Sequence, residues 1–173
     1  SLPARTLGRL LSFISSGSKQ KTFIADPVTF FCLQNLESGL IEDMAESHLK
    51  ASVLLPVFNA EQTVVEALDT ILAQSVREIE IIAVDDGSTD GSGRILEQKA
   101  AKDSRIVVKR IQHQGLIEAL KQGLTICSAP YVARFDADDR AAPTRIEKQV
   151  AFLEENETID AVGTQIKCFP EEN

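Results

Sequence analysis

No stretch of the 173 residues approaches the roughly 18 consecutive apolar residues that a membrane-spanning helix needs, so no transmembrane segment is expected in this chain. Cysteine is scarce. Cys32, Cys127 and Cys168 are odd in number, widely spaced and never in a C-x-x-C pair, which argues against a disulfide framework or a zinc site and for small buried side chains in a reducing compartment. Positive charge is also in short supply: 18 Lys and Arg stand against 26 Asp and Glu, a formal net charge of −8. A chain of that balance lacks the basic surface by which nucleic-acid binders hold phosphate, so no nucleic-acid partner is expected. The acidic surplus serves solubility, or it marks a local site for a divalent cation that would itself bring phosphates. The 43% hydrophobic and 25% charged residues are those of an ordinary globular domain with enough chain for one core.

Charge and pattern divide the chain near residue 50. Residues 1–25 hold Arg5, Arg9, Lys19 and Lys21 and no acid, so they carry +4 and the remainder −12. Leu7, Leu10, Leu11 and Ile14 share a helical face, Ser15-Ser16-Gly17-Ser18 interrupts it, and a weaker helical pattern runs from Leu36 to Leu49. Residues 1–50 therefore read as an extension, a linker or the end of a preceding region, with a targeting peptide as the alternative.

From Ala51 the pattern becomes regular. Buried, β-branched runs at Ser52–Val57, Glu80–Val84, Arg105–Arg110 and Tyr131–Phe135 predict strands, and Ile159–Ile166 predicts a last one. Between them, Glu61–Gln74, Gly91–Ala101 and Gly115–Cys127 have helical periodicity, and Pro143 suits the first turn of a helix reaching Glu155. Five alternations of strand and helix imply an α/β fold with a mainly parallel sheet flanked by helices. Ligands of such sheets bind beyond the carboxyl ends of the strands.

Acid clusters fall at two of those ends. In Asp85-Asp86-Gly87-Ser88-Thr89-Asp90, helix capping accounts for Ser88, Thr89 or Asp90, but not for two more acids directly after a buried strand. A carboxylate there can accept from a ribose hydroxyl or a base N–H. In Asp136-Ala137-Asp138-Asp139, alternation along a strand lets Asp136 and Asp138 converge, and three such close carboxylates repel unless a cation joins them. Hard oxygen ligands suit Mn2+ or Mg2+, which would bridge to a diphosphate. Phe58, after the first strand, is placed either to stack on a flat base or to fill the core.

The ordered set Pro56-Val57-Phe58-Asn59-Ala60-Glu61, Ile82-Ala83-Val84-Asp85-Asp86-Gly87-Ser88-Thr89-Asp90 and Ala133-Arg134-Phe135-Asp136-Ala137-Asp138-Asp139 resembles the family 2 glycosyltransferases, inverting enzymes of the Rossmann-like GT-A fold. Ile71-Leu72-Ala73-Gln74-Ser75, Gln114-Gly115-Leu116 and Pro143–Gln149 add supporting matches, and the resemblance runs from about Ala51 to Ile166. It implies a nucleotide-sugar-binding domain over residues 51–173. Pro56, Phe58, Glu61, Asp85 and Asp86 would line the nucleoside, and Asp136 and Asp138, with Asp139 as a further ligand, would hold Mn2+ or Mg2+ and the diphosphate. The implied donor is a UDP-sugar. The implied acceptor is a glycan, a lipid or a small molecule, reached in the cytoplasm or at the membrane periphery. Arg134 is typical of one subgroup, or serves as a charge partner for the acids.

Two departures qualify that implication. Lys121 stands where many members have Asn. No residue matches the family's catalytic base, and the sequence runs only 34 residues beyond Asp139, short of the acceptor-binding half. The chain is therefore expected to be truncated, binding donor while transferring slowly or not at all, with His113 the one conceivable substitute base. A catalytically inactive nucleotide-sugar-binding or interaction module is the alternative. The D-x-D pattern also occurs in haloacid-dehalogenase phosphatases, but Arg140 occupies the place where they have a small or hydroxyl residue, and the strand here comes fourth rather than first.

Overall fold

The computed structural model describes residues 49–167 and the backbone of Cys32–Gln34. The helical pattern at Leu7–Ile14, most of that at Leu36–Leu49, and Cys168 lie outside the described residues. In chain order the elements are β1 (Cys32–Gln34), β2 (Ala51–Val57), α1 (Val64–Leu72), β3 (Ile79–Asp86), α2 (Ser92–Ala100), β4 (Ile106–Ile111), α3 (Leu116–Leu124), β5 (Tyr131–Arg134) and α4 (Arg145–Glu155). One sheet holds the strands in the order β1-β5-β2-β3-β4. β5, β2, β3 and β4 run parallel, and β1 pairs antiparallel with β5.

All seven residues of β2 are buried because both faces of the sheet are covered. Alternation sends Val53, Leu55 and Val57, with Ile79, Ile81 and Ala83 of β3, to the face packed by Val64, Leu68 and Ile71 of α1, Leu96 of α2 and Ile146, Val150 and Leu153 of α4. Leu54, Ile82 and Val84 face the other way, onto Ala119, Leu120 and Leu124 of α3. α3 lies against the strands so closely that a Cβ at Gly123 would stand 2.1 Å from Leu54 Cδ1 and 3.0 Å from Val84 Cγ2. No helix of the described residues is long and apolar enough to cross a membrane.

The strand expected at Ile159–Ile166 is not formed. Both flanks of β5 are already paired, one to β2 and the other to β1, so the apolar run finds no free ladder beside it. It docks instead through Ile159 and Val162 against the core, with the Val162 carbonyl accepting from Gln149 Nε2, while Ile166 stays exposed.

Pro56 sits within a central strand, where a missing N–H is ordinarily costly. Backbone groups two residues apart point to the same neighbour, and Leu54 O accepts from Phe135 N on the β5 side. Pro56 faces that side one step further on, after β5 has ended at Arg134, so no ladder bond is lost. The parting of β2 from β5 there opens the sheet at its carboxyl end.

Candidate nucleotide and metal site

The order β5-β2-β3 brings three sequence motifs to neighbouring strand ends. Phe58 follows β2, Asp85 and Asp86 end β3, and Asp136 to Asp139 follow β5.

Asp85 and Asp86 are both buried, and alternation along β3 sends their carboxylates in opposite directions. Asp85 Oδ1 accepts from Ser88 N at 2.9 Å and closes the turn. Its Oδ2 lies 3.2 Å from Arg110 Nε, within ion-pair distance but off the line of a hydrogen bond. Arg110 also donates to Ser88 O, so Asp85 anchors the turn to β4. Asp86 faces the segment leading into α3. Oδ1 accepts from Gln114 N at 2.9 Å, Oδ2 accepts from Gly115 N at 2.8 Å, and His113 Nδ1 is 2.9 Å from Oδ2. A carboxylate at this helix N-terminus satisfies orphan N–H groups and complements the helix dipole. Gly87, at φ 69°, permits the approach: a Cβ there would stand 2.7 Å from His113 N.

Phe58 is 45% exposed, so it does not fill the core. One face of its ring stacks on His113, with centroids 4.0 Å apart and planes 18° from parallel. Beside it, Asn59 adopts φ 49°, a left-handed conformation to which Asn is suited. Its Oδ1 accepts from Thr89 N at 2.8 Å, and its own N donates to Ser88 Oγ at 3.0 Å. Glu61 Oε2 accepts from Gly91 N at 2.6 Å, Glu61 N donates to Asp90 Oδ2, and Ala60 N donates to Ser92 Oγ. The hydrogen bond from Ser92 holds the Asp90 carboxyl below its ordinary value. Glu61 thus joins the loop after β2 to the start of α2. Asn59, Ser88 and Ser92 complete that seam. Sequence patterning gave Asn59 and Ser88 no role beyond the motif and the cap, and Ser92 none, because their partners lie about 30 residues away.

In the D-x-D segment, Phe135 and Ala137 turn into the core and Asp136 and Asp138 away from it. Asp139 N then donates to Asp136 O and closes a turn. The three carboxylates do not form the joint cluster that their spacing suggested: among the described residues no three metal-binding side chains converge. Arg134, two residues before Asp136 on the same side of the strand, donates through one nitrogen to both Asp136 oxygens at 2.8 and 3.0 Å and screens the repulsion. Asp139 keeps a charge problem. Burial first, then the charges of Asp136 and Asp138, push its carboxyl above the ordinary value. That is the setting a cation would relieve. A site of one or two carboxylates completed by substrate phosphates is a common mode for Mg2+, whereas a three-carboxylate cage is not what these residues offer.

The segment after these acids is fastened to α1 and to the turn that follows it. Arg140 pairs with Glu66, Ala141 N donates to Thr70 Oγ1, and Ala142 O accepts from Gln74 Nε2 at 2.9 Å. Gln74 is fully buried, and its Oε1 accepts from Ile146 N at 3.1 Å, capping α4 in place of Thr144. His113, the conceivable substitute base, is engaged by Asp86 and Phe58. Lys121 pairs with Glu118 on its own helix.

Comparison with known proteins agrees with this architecture. EpsE of Bacillus subtilis, provisionally named a glycosyltransferase, is 40% identical over 124 residues, covering 70% of this chain and 45% of that protein. The chain therefore spans less than half the length of this curated relative. The crystal structure of S. aureus TarS 1-349 in complex with UDP-GlcNAc superposes with a TM-score of 0.58 at 26% identity, over 63% of this chain and 32% of that one. The mannosyltransferase PcManGT from Pyrobaculum calidifontis, in complex with GDP-Man and Mn2+, shares the fold at a TM-score of 0.55 and 24% identity, over 60% of this chain and 32% of that one. The profile of Glycosyl transferase family 2 matches residues 52–173, and the chain belongs to that family.

Proposed function

We propose that this chain binds a nucleotide-sugar, a UDP-sugar in the first instance, for metal-dependent transfer of the sugar to an acceptor hydroxyl with inversion. One observation carries the reading: the β5-β2-β3 order sets the exposed ring of Phe58 between the Asp86 and Asp136–Asp139 strand ends. In this reading Phe58 offers a stacking face to the base. Pro56 opens the sheet beside it, and Asp85, Asp86 and Glu61 hold the surrounding loops in place for the nucleoside. One or two of the carboxylates Asp138, which is exposed, Asp136 and Asp139 would hold Mn2+ or Mg2+, the remaining positions being filled by the donor's phosphates rather than by a third carboxylate. A bound cation supplies charge neutralisation for the departing diphosphate. Arg134 keeps Asp136 oriented and contributes positive charge beside the diphosphate.

The reaction forms a bond from the acceptor oxygen to the anomeric carbon and breaks the bond from that carbon to the diphosphate, on opposite faces of the sugar. The hydroxyl proton passes to a base. The residues of this crevice concern the donor-binding part of the reaction. The binding of UDP-GlcNAc by TarS and of GDP-Man with Mn2+ by PcManGT supports a nucleotide-sugar as the ligand class. The test is a ligand series of UDP, UMP and uridine with and without Mn2+. UDP should gain strongly from the metal and uridine not at all. Equal affinities throughout would reject the diphosphate–metal assignment.

A further inference from the structure

We propose that His113 is a positioning residue of the nucleotide site, the fixed backing plate of the ring on which the base would stack. The proposal rests on the reading that a nucleotide is the ligand, and it adds a residue that the motif set does not include. His113 Nδ1 lies 2.9 Å from Asp86 Oδ2 and 3.1 Å from Asp86 O. Both neighbours are acceptors, so Nδ1 carries the proton and the ring is held in one tautomer and one orientation. The backbone on either side of that ring is pinned as well. Gly87 leaves room for His113 N, and Gln114 N and Gly115 N both donate to the same Asp86 carboxylate.

The His113 ring then covers one face of Phe58 in a near-parallel stack. The 4.0 Å separation admits no third ring between them, so a base takes the outer face of Phe58, which is exposed. An exposed Phe without a backing plate would sample several rotamers and lose that freedom on binding. A backed ring has already lost it. Asp86 thereby acts on the base at one remove: its buried carboxylate fixes His113, and His113 fixes Phe58.

The test is calorimetry with UDP and with inorganic pyrophosphate, each with Mn2+, on the full chain and on His113→Ala, His113→Asn and His113→Phe. The alanine and asparagine variants should lose about three- to tenfold in UDP affinity, the range of a lost aromatic stack, with pyrophosphate affinity unchanged. Phe keeps the stack and should restore most of the loss. Thermal melts of each variant separate this from unfolding, which would weaken both ligands. Unchanged UDP affinity in folded His113→Ala overturns the proposal and leaves the donor-site reading intact. A wild-type chain that binds UDP no better than pyrophosphate overturns the proposal together with the assignment of Phe58 to the base, and leaves only the diphosphate–metal assignment. Failure of the wild type to bind either ligand overturns both.

Discussion

Replacing Gln74 by Leu tests how the D-x-D segment is held in place. The Gln74 side chain is fully buried and makes three hydrogen bonds: Nε2 to Thr70 O at 3.2 Å and to Ala142 O at 2.9 Å, and Oε1 from Ile146 N at 3.1 Å. Leu fills a similar volume but leaves the Ala142 carbonyl and the Ile146 N–H without that partner. Each buried backbone group left unpaired costs about 1–3 kcal/mol, and the added apolar side chain returns about 1–2 kcal/mol. The net expectation is a loss of about 2–3 kcal/mol, equivalent to roughly 8–12 °C in Tm for a domain of this size. Urea and thermal melts followed by circular dichroism measure it. Gln74→Glu sharpens the test through its pH dependence. An ionised Glu can still accept from Ile146 N but points a second oxygen at Ala142 O. Protonated, it donates there as Gln does. Burial raises such a carboxyl in the folded state, so the folded protein binds the extra proton and the variant should approach wild-type stability as the pH falls. A Gln74→Leu protein melting within about 2 °C of wild type, or a Gln74→Glu protein that loses ground on acidification, would show that the Gln74 hydrogen bonds do not hold this segment.

Other expectations follow from single sites. Asp139→Asn should be more stable than wild type at neutral pH, because the raised carboxyl of Asp139 disfavours the charged form in the folded state. The difference should be absent below the unfolded carboxyl value, open as pH rises from there towards the folded one and level off above it, in melts from pH 3 to 8. The same variant should bind Mn2+ with UDP more weakly. Cys127 is pushed up to about 12 by burial, and then by the charge of Glu80. Its alkylation by iodoacetamide at pH 8.5, resolved by peptide mass spectrometry, should be about a thousandfold slower folded than in urea. A comparable rate in both would contradict that burial. Gly123→Ala should cost about 1–3 kcal/mol by overpacking, since its Cβ would meet Leu54 Cδ1 at 2.1 Å. A denaturation midpoint equal to wild type would show that α3 stands further from the sheet.

Much of this architecture was legible in the sequence, for a physical reason. Strands buried on both faces must be continuously apolar, and Ser52–Val57 and Glu80–Val84 are nearly so. Helices flanking them show one apolar face, and α1 and α3 do. The four parallel strands and four helices were accordingly found with boundaries shifted by up to three residues. The failure at Ile159–Ile166 has the complementary cause. An apolar run reports burial, but strand formation also needs an open partner, and β1, which was not expected although Cys32 and Leu33 end the mostly apolar run of residues 28–33, occupies that edge. At the site, residue type and order pointed to the crevice. They did not show which way each acid faces or what it already holds. Asp86 looked available to a ligand, yet its oxygens are taken by the N-terminus of α3 and by His113. Glu61 and Asp85 likewise serve turns and helix starts. Gln74 carried only a motif match, because its value lies in partners about 70 residues away.

In the proposed function the crevice holds a nucleoside diphosphate through a cation on the Asp136–Asp139 segment. Calorimetric titration of UDP into the chain, with and without Mn2+, and again into Asp138→Asn, tests it most directly. Binding should require the metal and fail in the variant, with both proteins melting alike. Metal-independent binding, or an Asp138→Asn protein that binds as well as wild type, would contradict it.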